Sequence, residues 1–241
     1  MRQIGVAERR ARLAVRHRLA GHTQVDGPLE ATEAVVALHA TDPATVYLSA
    51  LTRMTGGEVA TIEKALYEDR SLIRMLGMRR SMFIVSRELA PVVQASCSRT
   101  IAAAQRRRLV KLLDGAGVGP APGDWLADVE TSVVAALRAA GEATAAELAE
   151  AEPRLRTSLV MAEGKPYEAT QNITSRVLFQ LAVDGHIVRG RPRGGWTTNT
   201  YRWSPMESWL PGGCRSWMAA PRVPSWCVGG SQPSDPRRSR T

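Results

Sequence analysis

The residues with the greatest chemical reach in this chain are arginines, and they fall in two clusters. Arg74, Arg79 and Arg80 flank Gly77, and Arg189, Arg191 and Arg193 precede Gly194-Gly195-Trp196. Guanidinium forks at this density suit phosphate oxygens. Paired glycines without Cβ atoms let a loop tip approach another backbone closely. A third group, Gln171, Asn172, Thr174, Ser175 and Arg176, supplies short polar donors near the predicted start of a helix. There the positive end of the helix dipole adds to anion attraction. The remaining reactive groups are scattered. His17, His22, His39 and His186 do not pair at i, i+4, and Cys97, Cys214 and Cys227 form no CxxC pair and stand near no histidine at metal-ligand spacing. No metal and no cofactor is therefore expected. Gly115 to Gly123 lacks the lysine and preceding strand of a phosphate-binding loop, and no nucleophile elbow is present.

Bulk composition agrees with a polyanionic partner without requiring one. Lys+Arg outnumber Asp+Glu by 32 to 23, a net charge of +9 and an isoelectric point near 10.3. Phosphate contacts would release counterions and raise affinity, but such a charge also serves as a solubilising surface. Lysine occurs only at Lys64, Lys111 and Lys165, a bias that fits a high-GC genome as well as it fits phosphate recognition. With 241 residues and 44% hydrophobic composition, two packed domains of roughly 100–150 residues are expected. Aromatics make up 5%, so Leu, Val, Ile and Ala must fill the cores. Met1 to Ala20 is arginine-rich without an apolar run, and no stretch approaches the ~20 apolar residues of a membrane span. With an odd cysteine count, this reads as a soluble cytoplasmic protein.

The elements that must carry these groups follow from periodicity. Val6 to Ala20 reads as a basic amphipathic helix with a thin stripe of Val6, Leu13 and Leu19, ended by Gly21. Helices are expected over Leu29–Leu38, Val46–Met54 and Thr61–Glu68, followed by strands Leu72–Leu76 and Met78–Val85 around a tight turn at Gly77. Arg87 to Leu113 is a long helical stretch broken near its start by Pro91. Asp114 to Gly123 (DGAGVGPAPG) is the best domain boundary.

Beyond it, Asp124 is placed to cap a helix running to Ala140, and Thr144 with Glu147 has capping-box spacing. Arg154 to Glu168 shows no clear period. Thr170 to Val183 is a third helix closed by Gly185, and Ile187–Gly190 and Thr200–Trp203 are strands around the arginine-rich tip. Helices followed by a hairpin, twice over, is the winged helix-turn-helix plan. There the third helix enters the major groove and the wing touches backbone or minor groove; such units also serve in protein contacts.

The fold class is thus mainly α with small β-hairpins (α+β), as tandem winged helix-turn-helix domains. Residues 1–113 are the first domain with a connecting helix, 114–123 a Gly/Pro linker, 124–213 the second domain and 214–241 a disordered Arg/Pro/Ser tail. No internal tandem repeat is readable. The tail carries four of the nine net positive charges, from five arginines against Asp235.

Three segments together resemble the AlkZ/YcaQ-type winged-helix DNA glycosylases. They are Leu38-His-Ala-Thr-Asp-Pro43 with Tyr47; Leu66 through Val85; and Ser175-Arg-Val-Leu178 through the Arg191-Pro-Arg-Gly-Gly-Trp196 tip to Tyr201-Arg-Trp203. The likeness spans about residues 7–213. It implies three winged-helix units lining a basic cleft for double-stranded DNA, and hydrolysis of the N-glycosidic bond of N7-alkylated or crosslinked purines. An N7-alkylated purine is already cationic and leaves without a general acid. The enzyme must stabilise an oxocarbenium-like sugar and position a water.

In that family these tasks fall to a Gln-x-Gln or Gln-x-Asp motif. The matching positions here are His39 and Thr41, followed by Asp42. His39 has the chemistry to orient water or act as general base, Thr41 to hydrogen-bond water or sugar, and Asp42 to stabilise positive charge or cap a helix. Ordinary turn chemistry at a helix end also accounts for all three. From the hairpins and the third helix, DNA contacts are expected from Arg74, Arg79, Arg80, Arg176, Arg189, Arg191, Arg193 and Trp196. After Gly213 the family would supply a third domain, where this chain has its tail, so a C-terminally truncated member is expected. Three readings stay open: a monofunctional glycosylase acting as a nucleoid-associated monomer on alkylated or crosslinked DNA, a non-catalytic winged-helix regulator, and an inactive truncated homologue.

Overall fold

A computed structural model describes residues 3–161, 164–166 and 168–211. The expected tail, 214–241, lies outside the described residues. Helices and small antiparallel hairpins make up the described chain, in line with the α+β expectation.

Helix α1 (Val6–Arg16) contributes nothing to a core. None of its residues is buried, and Val6 and Leu13 of its apolar stripe are exposed. It ends before Gly21, at His17. Helix α2 (Pro28–Glu33) is shorter than the Leu29–Leu38 helix expected, because Val36 turns into the left-handed region at φ 71° and ends any helical run. Leu38–His39 instead forms strand β1, paired with Ile84 and Phe83. Helix α3 (Pro43–Leu51) starts where Asp42 accepts the Thr45 N–H at 3.1 Å and Pro43 occupies the first turn. Helix α4 (Val59–Glu63) continues as a π-helical turn through Glu68.

Strands β2 (Leu72–Leu76) and β3 (Met82–Ser86) complete an antiparallel sheet in the order β1-β3-β2. The connection is wider than a tight glycine turn. Met78–Arg80 forms a 3-10 turn in which Arg79 and Arg80 both have positive φ, so these arginines sit at the tip rather than on a strand. Gly77 is required for a packing reason. A Cβ there would meet the Phe83 ring at 2.8 Å.

Pro91 starts helix α5 (Ala90–Val93) rather than breaking one. The helix passes through a π-helical turn (Gln94–Ser98) into α6 (Arg99–Gly115). Helix α7 (Pro122–Ala140) opens at Pro122, so Asp124 lies in its first turn without capping it. Helix α8 (Ala145–Ala151) has the expected capping box: Glu147 N–H donates to Thr144 at 3.2 Å, and Thr144 N–H to the Glu147 carboxylate at 2.7 Å. The stretch that showed no period contains a 3-10 turn (Pro153–Arg156) and strand β4 (Ser158–Met161), paired with β5 (Ala169–Asn172). The next helix therefore starts late, as α9 (Thr174–Val183), and Gln171 and Asn172 stand on a strand before it. Strands β6 (Ile187–Pro192) and β7 (Tyr201–Pro205) close the chain's second arginine-rich hairpin.

Two main cores result. One gathers Ala31, Leu38, Val46, Tyr47, Ile62 and Ile84; the other gathers Leu126, Val129, Val133, Leu137, Val177 and Leu181. Leu109 and Leu113 of α6 belong to the second, so the turn at 116–121 connects two helices of one core. A third cluster joins Ile73, Met75 and Val85 to Val188, Met206 and Trp209, welding the first hairpin to the second. At about 25 cal/mol per Å² of apolar surface, such burial is the main force holding these elements together.

Candidate nucleic-acid interface

The long α6 helix packs on α9, and buried polar side chains set the contact. Gln94 donates to the Val183 carbonyl at 2.7 Å, and Gln180 donates to the Ala102 carbonyl at 3.2 Å. Arg106 reaches Glu130 at 2.9 Å and Asp184 at 2.7 Å, tying α6 to both α7 and the end of α9. Ser98 donates to the Leu76 carbonyl at 2.6 Å, which fixes the first hairpin to the same helix. Burial raises the Glu130 carboxyl pKa, against the pull of Arg106.

On the outer side of this contact lies a groove of about 250 Å³. Arg80 reaches it from the first hairpin tip, Gln105 and Arg108 from α6, and Ser175, Arg176 and Phe179 from α9. The Arg80 guanidinium sits 5.8 Å from the Phe179 ring centroid. The pKa of Arg176 is lowered, first by burial and then by the like charges of Arg108 and Arg80. None of the described lining residues is acidic. Three guanidinium groups thus stand together beside the first turn of a ten-residue helix, an arrangement whose local field favours anions.

His39, Thr41 and Asp42 lie beside the same hairpin. All three are exposed. The His39 Nε2 and Thr41 Oγ1 atoms are 3.3 Å apart, and Thr41 Oγ1 also accepts the Met82 N–H at 3.3 Å. The His39 ring stands edge-on to Phe83, centroids 5.5 Å apart. The imidazole and hydroxyl are thus held together at the surface against Met82, which is two residues along the chain from Arg80. Asp42 is engaged as the α3 cap.

The other expected contact residues divide. Arg79 and Arg193 are exposed. Arg74 is 9% exposed and lies inside the protein. Arg189 is stacked 4.3 Å from the Tyr201 centroid and 5.7 Å from that of Trp203. Arg191 pairs with Glu63 at 3.0 Å and Glu68 at 3.1 Å, over the Tyr67 ring. Trp196 is half-buried against the first core. The structure does not bring these four to an open surface together. A wider groove of about 620 Å³ beside the second hairpin is lined by Arg70, Arg191, Arg193 and Arg202. There Arg202 faces Glu142 at 3.5 Å and Glu147 at 3.8 Å, so its charge is partly offset.

Arg108 and Gln105 were not singled out from sequence. Their signal was the run Gln105-Arg-Arg-Arg108 within a helix. Steps of about 100° per residue turn Arg106 inward to its carboxylates and Arg108 outward to the groove.

A family model described as DNA glycosylase AlkZ-like matches residues 32–229. The chain belongs to the AlkZ-like DNA glycosylase family. That match runs past Gly213, where the resemblance read from the sequence stopped, and leaves α1 outside it. Among solved structures the chain is similar to Streptomyces sahachiroi DNA glycosylase AlkZ, with a TM-score of 0.54 and 17% identity. The alignment covers 81% of this chain and 47% of that one, so this member spans about half the length of its solved relative. No curated protein matches it. In this AlkZ-like chain no helix among the described residues is long and apolar enough to cross a membrane.

Proposed function

We propose that this chain binds duplex DNA through the groove between α6, α9 and the first hairpin tip, and hydrolyses the N-glycosidic bond of cationic, N7-alkylated or crosslinked purines. The observation that carries the proposal is the convergence of Arg80, Arg108 and Arg176 on one groove, with no acidic residue among its described lining, in a chain of the AlkZ-like family. Arg79 and Arg193 extend the phosphate contacts. His39 positions or deprotonates the attacking water, and Thr41 holds that water or the sugar. Their support is the 3.3 Å separation of the two groups at the surface beside the hairpin that carries Arg80. Asp42 contributes through its cap, which orients the α3 end of this loop.

The architecture proposed is two winged-helix units, one from α2 to β3 and one from α6 to β7. The core membership of Leu109 and Leu113 supports giving α6 to the second unit, with the boundary moved N-terminal of 114–123. The protein acts as a monomer on nucleoid DNA.

A duplex carrying one N7-methylguanine tests the activity. Abasic sites are expected with the wild-type chain and strongly reduced with His39→Ala. Absence of abasic product above background at protein excess overturns the enzyme reading. A flat dependence of binding on salt would overturn the DNA reading itself.

A further inference from the structure

Arg74 and Arg189 stand on strands of different hairpins, β2 and β6, and both line one small cavity. Arg74 is 9% exposed, and its Nε meets no hydrogen-bond partner among the described residues. The carboxylates nearby in the fold, Glu63 and Glu68, are taken by Arg191. The Arg189 pKa is lowered, first by burial, and the like charge of Arg74 lowers it further. Stacking on Tyr201 and Trp203 satisfies the face of Arg189 but supplies no counter-charge. A buried guanidinium with an unmatched donor is unfavourable unless something neutralises it.

We infer that this cavity is a binding site for a single small inorganic anion of chloride size, held between Arg74 and Arg189. Its volume of about 20 Å³ sets the size. That is room for one water-sized sphere and too little for a tetrahedral phosphate. The rest of the lining, including Met75, Phe179, Val188 and Trp203, is apolar, which strengthens the attraction between an anion and the two cations. Because the two arginines come from different hairpins, the anion ties the two arginine-rich hairpins together from within. This inference goes beyond the glycosylase reading and stands whether or not the chain cleaves DNA.

Thermal unfolding of the full chain is compared in sodium chloride and in sodium gluconate at equal ionic strength, gluconate being too large to enter. A saturable rise in Tm of about 5 °C is expected with chloride alone. In Arg74→Met, which keeps much of the side-chain volume without the charge, the chloride effect should vanish. If that variant does not fold, Arg189→Met replaces it. Crystals soaked in sodium bromide give an independent readout on the wild-type protein, with an anomalous peak expected between the two guanidinium groups. Equal Tm in the two salts, a chloride effect that survives both substitutions, or a cavity without bromide would each overturn the inference.

Discussion

Trp196, at the tip of the second arginine-rich hairpin, packs on Tyr47 of α3, with ring centroids 5.1 Å apart and planes inclined by 52°. The contact joins residues far apart in sequence and turns the hairpin tip from a free probe into a docked element. Arg191 reinforces it from the strand, through Glu63 and Glu68 at the C-terminal end of α4 and in the π-turn beyond. The second hairpin is therefore braced against the helices of the first core, while Arg193 near its tip stays exposed.

Trp196→Ala should lower stability by about 2 kcal/mol, a half-buried indole contributing both apolar area and an aromatic pair. Urea denaturation measures this. Arg191→Ala should cost under about 1 kcal/mol, because its ion pairs are solvent-exposed and screened. A larger effect for Arg191 than for Trp196 would contradict the packing account.

Arg80→Gln, Arg108→Gln and Arg176→Gln should each weaken binding to unmodified duplex and reduce the slope of log affinity against log salt by about 1. Fluorescence anisotropy over a salt series reads both quantities. Arg191→Gln should leave the slope unchanged, since its guanidinium is committed to Glu63 and Glu68.

Arg106→Met should cost about 2 kcal/mol or more, by leaving the Glu130 and Asp184 carboxylates without their shared cation. Adding Glu130→Gln should recover part of the loss, since the Glu130 side chain is only 11% exposed and its charge is the costlier of the two to strand. Equilibrium unfolding of the single and double variants gives the coupling. No recovery would mean that Glu130 is already neutral in the Arg106→Met protein.

Glu152 predicts an acid transition. The Arg154 guanidinium donates to it at 2.8 Å and 2.7 Å and holds its carboxyl well below the usual range, at about 2 instead of 4.5. A depressed folded-state value stabilises the fold above the unfolded value. That contribution is present above about pH 4.5 and fades as pH falls toward about 2. Glu152→Gln should be less stable than wild type at pH 7 and show a shallower loss of stability across that acid window. Parallel curves for the two proteins would refute the assignment.

Local chemistry was legible wherever a few neighbouring residues decide the outcome. The Thr144–Glu147 capping box, the strand Leu72–Leu76 and the helix ending at Ala140 beside Gly141 follow from contacts within a turn or two. The helix expected through Leu38 was wrong because pairing with Ile84 and Phe83, distant in sequence, competes for those backbone groups. Strand β5 was missed for the same reason: Ala169–Asn172 is exposed and carries no alternating pattern, so only its ladder with β4 defines it.

Composition and motif single out the arginines and mark the hairpins and the His39-Ala-Thr41 loop. Which arginines face outward is a question of long-range packing. Arg74, Arg189 and Arg191 have the same chemistry as Arg80, Arg108 and Arg176, yet the first three are enclosed, stacked or paired and the last three converge on a groove. Where a guanidinium ends up depends on the carboxylates and rings that folding brings beside it. Those partners lie tens to more than a hundred residues away, beyond the reach of any pattern read along the chain.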